Sequence, residues 1–190
     1  MRIIAGRAGG RRIRAPAAKG TRPATDRVRE AVFSIIGGWV EDADVADLYA
    51  GSGSFGLEAL SRGAKTAVFV ENGRQALAAL RHNVDSVGLG GTVVEGDVTG
   101  YLQRSRQRFH LVFMDPPWSK STEDVEQDMV ALDRLLEPDA EVFISRRHTD
   151  RVPAPPETWR VATNKRYGDT RIIRYEKVEE DDDGVVPGEL

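Results

Sequence analysis

The sequence contains no cysteine. Disulfides and thiolate metal centres are thereby excluded, and a reducing compartment such as the cytoplasm suits the chain. Histidine is nearly as scarce. His82, His110 and His148 are scattered and form no ligand cluster, so no metal site is expected. No run of 18 apolar residues occurs, so no membrane-spanning helix is expected. The basic N-terminus lacks the apolar stretch of a signal peptide. There is also no internal repeat. What is there is 190 residues, enough for one domain, with a hydrophobic content of 40%, enough for a core.

Charge is plentiful but unevenly placed. Residues 1–29 hold nine bases (Arg2, Arg7, Arg11, Arg12, Arg14, Lys19, Arg22, Arg27 and Arg29) against one acid, Asp26. Residues 176–190 hold seven acids against one base, Lys177. The net charge of −3 is therefore −6 in the tail plus +3 in the remainder. A basic arm on a near-neutral body is an electrostatic footprint for a polyanion.

Gly9-Gly10 separates two short β-prone pieces, residues 2–6 and 11–15. Residues 1–20 are therefore expected to form a small basic β-hairpin extension. Thr25 reads as the cap of a helix that buries Val28, Ala31, Val32, Ile35 and Ile36, leaves Arg27, Arg29 and Glu30 outside, and stops at Gly37-Gly38. Strand and helix then alternate. Strands are expected at 45–50, 66–71, 92–95, in the run ending at Asp115, and at 141–145. Helices are expected at 57–62, 74–87 and 98–106, and in a segment capped by Ser121 with Val125, Met129, Leu132 and Leu136 as its stripe. Such alternation predicts an α/β fold, a doubly wound parallel sheet with right-handed crossovers. Beyond Pro156, residues 159–165 and 171–177 flank Tyr167-Gly168-Asp169-Thr170 and predict an antiparallel hairpin at the sheet edge. The main domain is thus placed at 21–177, and residues 178–190 read as a disordered acidic tail.

Two stretches carry chemistry. In the first, an unbroken apolar run ends in Met114-Asp115-Pro116-Pro117-Trp118. The run suits a strand buried on both faces. Two prolines cannot donate to a ladder, so the strand must stop at Asp115. A carboxylate, free carbonyls and a flat aromatic then stand together at one rim, a set able to grip an amino group on a planar ring. The bland alternative is a rigid turn with Trp118 filling the core.

The second stretch is Asp47 to Gly56, a glycine-rich strand-to-helix turn. Its Gly51-x-Gly53-x-x-Gly56 spacing matches a dinucleotide fingerprint, and Glu71 ends the next strand, where an acid can hold ribose hydroxyls. An adenosine-containing ligand is expected. Asp47 favours S-adenosylmethionine over NAD, because a carboxylate can meet an ammonium group but repels a pyrophosphate. Asp97 can accept from the adenine amine, with Val98 lining the ring. The cofactor set is therefore Asp47, Tyr49, Ala50, Gly51, Ser52, Gly53, Gly56, Glu71, Asn72, Asp97 and Val98. Structural roles remain open alternatives: Asp47 and Asp97 as caps of backbone amides, Glu71 as an exposed strand end.

With these pieces in place the chain resembles the class I S-adenosylmethionine-dependent methyltransferases, and within them the RsmD family of 16S ribosomal RNA guanine-N2 methyltransferases. The resemblance runs from Arg2 to about Tyr175. It rests on Arg2-Ile3-Ile4-Ala5-Gly6, on Thr21-Arg22-Pro23 with Asp26-Arg27-Val28-Arg29-Glu30, on Asp47 to Ala64, on Asp115 to Trp118 and on Tyr167 to Thr170. Trp118 stands where phenylalanine or tyrosine is more familiar, and the acidic tail lies outside the pattern. The resemblance implies a Rossmann-like fold with a mainly parallel seven-stranded sheet and helices on both faces. It implies methyl transfer to the N2 amine of a guanine in 16S ribosomal RNA, in an assembling 30S particle in the cytoplasm, by a monomer without a metal. Asp115, Pro116, Pro117 and Trp118 would form the base pocket. Arg2, Arg7, Arg11, Arg12, Arg14, Arg22, Arg27 and Arg29 would dock the RNA. The rival readings are an adenine or cytosine amino-methyltransferase, a nicotinamide-dependent oxidoreductase and a non-catalytic RNA-binding assembly factor.

Overall fold

Apolar runs without polar alternation become the central strands. In the computed structural model, which describes residues 1–16 and 26–178, β1 (Asp44–Leu48), β2 (Thr66–Glu71), β3 (Thr92–Glu95), β4 (Phe109–Met114) and β5 (Leu136–Arg147) pair in parallel. The antiparallel strands β6 (Trp159–Tyr167) and β7 (Thr170–Lys177) complete a seven-stranded sheet of order β3-β2-β1-β4-β5-β7-β6. The helices are α1 (Asp26–Ile36), α2 (Ser54–Ser61), α3 (Arg74–Val87), α4 (Val98–Arg104) and α5 (Thr122–Asp133).

Successive strand residues point to opposite faces, and both faces are covered. Val45, Leu111 and Phe113 join one core with α1, α2 and the N-terminal segment. Ala46, Val112 and Met114 join a second core with α4 and α5. The chain runs outward from β1 to β3, then crosses back to β4 on the other side of β1. The carboxyl ends of β1 and β4 therefore flank a topological switch point, where open α/β sheets form their ligand crevice. The glycine turn and Asp115 leave the sheet at those two ends.

Several elements differ from expectation. β1 stops at Leu48, because Tyr49 takes a left-handed backbone (φ 61°). Leu136 belongs to β5, not to α5. Its spacing fits the helical stripe, but pairing with Phe109 decides the matter, and an irregular register between Phe109 and Leu111 accommodates Pro138. The basic arm pairs through the single bridge Arg2–Arg12 instead of two full strands. Ile3 and Ile13 are buried in the first core. Thr25, Lys19, Arg22 and the acidic stretch from residue 179 lie outside the described residues. Among the described residues no helix is long and apolar enough to cross a membrane.

Candidate active site

The glycine turn is held by carboxylates acting on backbone amides. Asp47 is buried at the end of β1 and accepts the Gly56 N–H at 2.9 Å. Burial pushes its pKa up to about 8, the Gly56 bond works against that, and repulsion from Asp115 and Glu71 adds to it. The three acids thus feel one another across the switch point. Glu71 uses both oxygens, accepting Gly51 N–H at 2.8 Å, Asn72 N–H at 2.9 Å and Gly73 N–H at 2.7 Å. It ties the turn after β1 to the turn after β2.

The glycines divide by role. A Cβ at Gly53 would stand 2.5 Å from Leu80, and one at Gly56 only 2.4 Å from Phe69. Those two positions are required by packing. At Gly51 (φ 56°) a Cβ would meet only a carbonyl 4.0 Å away, so this residue faces open space. Ala50 and Ser52 are buried, and Asn72 is exposed. Asp97 caps α4 by accepting Gly100 N–H at 2.8 Å and is exposed, while Val98 is buried beside it.

Asp115 sits at the other lip, with Pro116 buried, Pro117 exposed and Trp118 half-buried. The half-buried Asp115 is hydrogen-bonded to Ser145. Burial pushes its pKa up to about 6, with the serine bond working in the opposite direction. Trp118 is not lost in the core. Its ring carries the Arg147 guanidinium 4.8 Å from the centroid.

The arm arginines separate into two groups. Arg2, Arg7, Arg11, Arg12, Arg14 and Arg27 are exposed. Arg29 is a correction. It is fully buried, with its guanidinium bonded to the carbonyls of Ser54 (3.3 Å) and Arg2 (2.5 Å) and to Asp26 (2.7 Å). As placed it is a strut between the arm and α2 and cannot touch RNA.

Sequence reasoning missed the polar struts. Glu58, fully buried, accepts the Ile4 and Ala5 amides at 2.7 and 3.1 Å. Asn83, also fully buried, accepts Arg14 N–H at 2.8 Å and donates at 2.9 Å to the carbonyls of Arg14 and Ser52, linking arm to glycine turn. Asp128 on α5 accepts from the hydroxyls of Tyr49 and Thr99 and faces Lys120. These bonds hold the Tyr49 hydroxyl in its protonated form, together with burial, which is the larger cause. The signal was present: Asp128 lies three residues after Val125 and four before Leu132, and Asn83 three after Leu80 and four before Val87, on the buried stripes. Ser145, a hydroxyl ending an apolar strand, was similarly visible.

A seven-stranded sheet of this order, with a glycine turn after β1 and an acid at the end of β4, defines the class I S-adenosylmethionine-dependent methyltransferase fold. The chain belongs to the family described as Conserved hypothetical protein 95, the RsmD family, which matches residues 1–176. It is similar to YlbH of Bacillus subtilis, with 35% identity over 93% of this chain and 99% of that one. Ribosomal RNA small subunit methyltransferase D of Escherichia coli is 30% identical over 93% of this chain and 90% of its own length. Among solved structures, the Escherichia coli protein yhhF superposes with a TM-score of 0.83 at 31% identity, covering 94% of this chain and 98% of that one.

Proposed function

We propose that this protein methylates ribosomal RNA, using S-adenosylmethionine, at the exocyclic N2 amine of a guanine in the small-subunit RNA. The name of the Escherichia coli relative supports the RNA class. The observation that carries the choice of base is Asp115, a half-buried carboxylate held by one serine at the rim of the crevice. The pairing edge of guanine presents two neighbouring donors, N1–H and N2–H2. A carboxylate is acceptor-only and has two oxygens, so it fits that edge. Adenine and cytosine present a donor beside an acceptor, which an amide would match and a carboxylate would repel.

The crevice fits the cofactor. Gly51 opens onto free space beside the Glu71 carboxylate, whose Oε2 keeps one lone pair beyond the three amides the group accepts. Gly51, Glu71 and Asn72 would hold the ribose side, Asp97 and Val98 the adenine, and the turn from Asp47 to Gly53 the amino-acid end. Bound there, S-adenosylmethionine supplies a methyl group activated by a sulfonium. The chain's own residues do the rest. Trp118 stacks on a base drawn out of its helix, worth about 1–3 kcal/mol by analogy with other aromatic–base contacts. Asp115 and the Pro116 carbonyl accept from the amine and orient its lone pair. The pKa of about 6 leaves Asp115 largely ionised at neutral pH yet basic enough to take the amine proton as the new N–C bond forms. The prolines keep that carboxylate in place, so the gain comes from positioning.

The exposed arm arginines dock the RNA. An open pocket of about 520 Å³ lies between Arg2, Arg12 and Asp26, and the arm is fastened to the glycine turn through Asn83. Phosphate contacts there position the substrate without reading sequence. The substrate in this reading is a small-subunit particle in assembly. The test is methyl transfer from labelled S-adenosylmethionine to undermethylated particles and to naked RNA, followed by digestion to nucleosides. Label in N2-methylguanosine is expected. Label in methyladenosine or methylcytidine would overturn the base assignment.

A further inference from the structure

Some cations on this surface face a carboxylate. Arg81 meets Glu95 at 2.6 Å, Arg151 meets Glu126 at 2.6 Å, and Arg160, at the base of the β6–β7 hairpin, meets Glu176 at 2.8 Å. The hairpin tip gathers cations of the other kind. Arg147, Lys165, Arg166 and Arg171 make no ion pair among the described residues, and the one acid between Asn164 and Arg171 is Asp169. Arg147, Lys165 and Arg166 are exposed.

The sheet register divides the tip cations between two faces. Arg146, Arg171 and Arg166 stand directly opposite one another across β5, β7 and β6. Like charges in facing positions destabilise a sheet. The polar contacts of this row that reach outside it are the Asp150 carboxylate and carbonyl, the Lys120 carbonyl and, for Arg166, the Gly168 carbonyl. This row lies on the face opposite Ser145 and Arg147, and its buried member Arg146 is paired with Asp150 at 3.1 Å.

Location ties the patch to the reaction. Ser145, Ile172 and Lys165 form one register row, and Arg147, Thr170 and Tyr167 the next row on the same face. That face belongs to the core shared with α1 and the arm. Ser145 bonds Asp115, and Arg147 covers Trp118. The arm is bonded to α2 and α3, which serve the β2–β3 side, whereas the tip lies at the β6 edge. Asp115, after β4, lies between them.

We propose that Arg147 and Lys165, with exposed Arg166 beside them on the edge strand β6, form a second phosphate-binding surface, which takes the RNA backbone on the side of Asp115 away from the N-terminal arm. The proposal rests on the reading of this protein as an RNA methyltransferase. It makes the substrate a two-point load, gripped on both sides of the flipped base, with Arg147 joining the grip to the stacking residue.

The experiment compares wild type with the Arg147→Gln, Lys165→Gln, Arg166→Gln triple variant. It measures binding of a small-subunit ribosomal RNA transcript across a salt series, with thermal melting as the folding control. Each lost phosphate contact lowers the slope of log K against log salt by about 0.7–0.9, so a drop of roughly 2–3 and at least a tenfold loss of low-salt affinity are expected. Arg147→Lys with Arg166→Lys should keep the slope. The KM for RNA should rise with kcat little changed. If the triple variant melts early, Lys165→Gln with Arg166→Gln, away from Trp118, decides the matter with about two-thirds of the slope change. A wild-type slope and affinity in a folded variant overturn the second surface alone, leaving the methyltransferase reading standing. Unchanged transcript binding with weaker binding to the assembled particle would assign the patch to a protein partner and overturn it as an RNA site. A wild-type protein that neither binds the transcript nor methylates it overturns both.

Discussion

The two loops at the switch point are built on opposite plans. In the glycine turn the acids are engaged internally: Asp47 holds Gly56, and Glu71 holds Gly51, Asn72 and Gly73. Two of its three glycines are dictated by Phe69 and Leu80 beneath them. In the Asp115–Trp118 loop, stiffness comes from two adjacent prolines, and the carboxylate is held by a single hydroxyl. One loop is a preformed cradle, in which acids shape backbone. The other presents an acid to whatever enters. The same residue type serves architecture on one lip and chemistry on the other, and the number of backbone amides each acid accepts separates the two.

The strongest way to break this comparison is Asp115→Ala. Methyl transfer should fall by about 10³-fold or more, because positioning and proton acceptance are lost together. Cofactor affinity by calorimetry should stay within about twofold. A large loss of cofactor binding would mean that both lips serve the cofactor.

Asn83→Ala comes next. It leaves the Arg14 amide and the Arg14 and Ser52 carbonyls without their buried partner, at a cost of about 2–3 kcal/mol. Faster hydrogen exchange at the Arg14 amide and weaker RNA binding should accompany a lower melting temperature. Asp47→Ala strands one buried amide, Gly56 N–H, and should cost about 1–2 kcal/mol together with cofactor affinity. Asp47→Asn keeps an acceptor and should restore most of that stability.

The smallest effects are in pH. The folded pKa of Asp47 lies above its usual 3.8, at about 8, chiefly through burial. The native state therefore binds the proton more tightly, and stability is lost as pH rises from about 4 through 8. Denaturant unfolding at pH 5 and pH 8 should show this slope in wild type and less of it in Asp47→Asn. Turnover has the opposite sign. It should rise with pH through about 6 as Asp115 ionises, then level off. A profile flat from pH 5 to 8 would remove Asp115 as proton acceptor.

What the chain determined locally was legible in it. β2, α3 and β3 fall at the residues expected from periodicity and glycine punctuation. The stop after β4 follows from proline chemistry, which needs no neighbour. So does the parallel core, because an apolar run without alternation must be covered on both sides. Tertiary structure decided everything that depends on partners far away in sequence. Arg29 sits one position from exposed Arg27's stripe neighbours, yet it is buried because Arg2 and Ser54 surround it. Leu136 became strand because Phe109 was there to pair with it. Asp47 and Asp115 are both acids ending buried strands. Only the folded chain shows that a glycine amide nine residues on claims the first, while a lone serine from β5 steadies the second. A charge's role is set by what desolvates and what bonds it, and those groups are assembled by the fold.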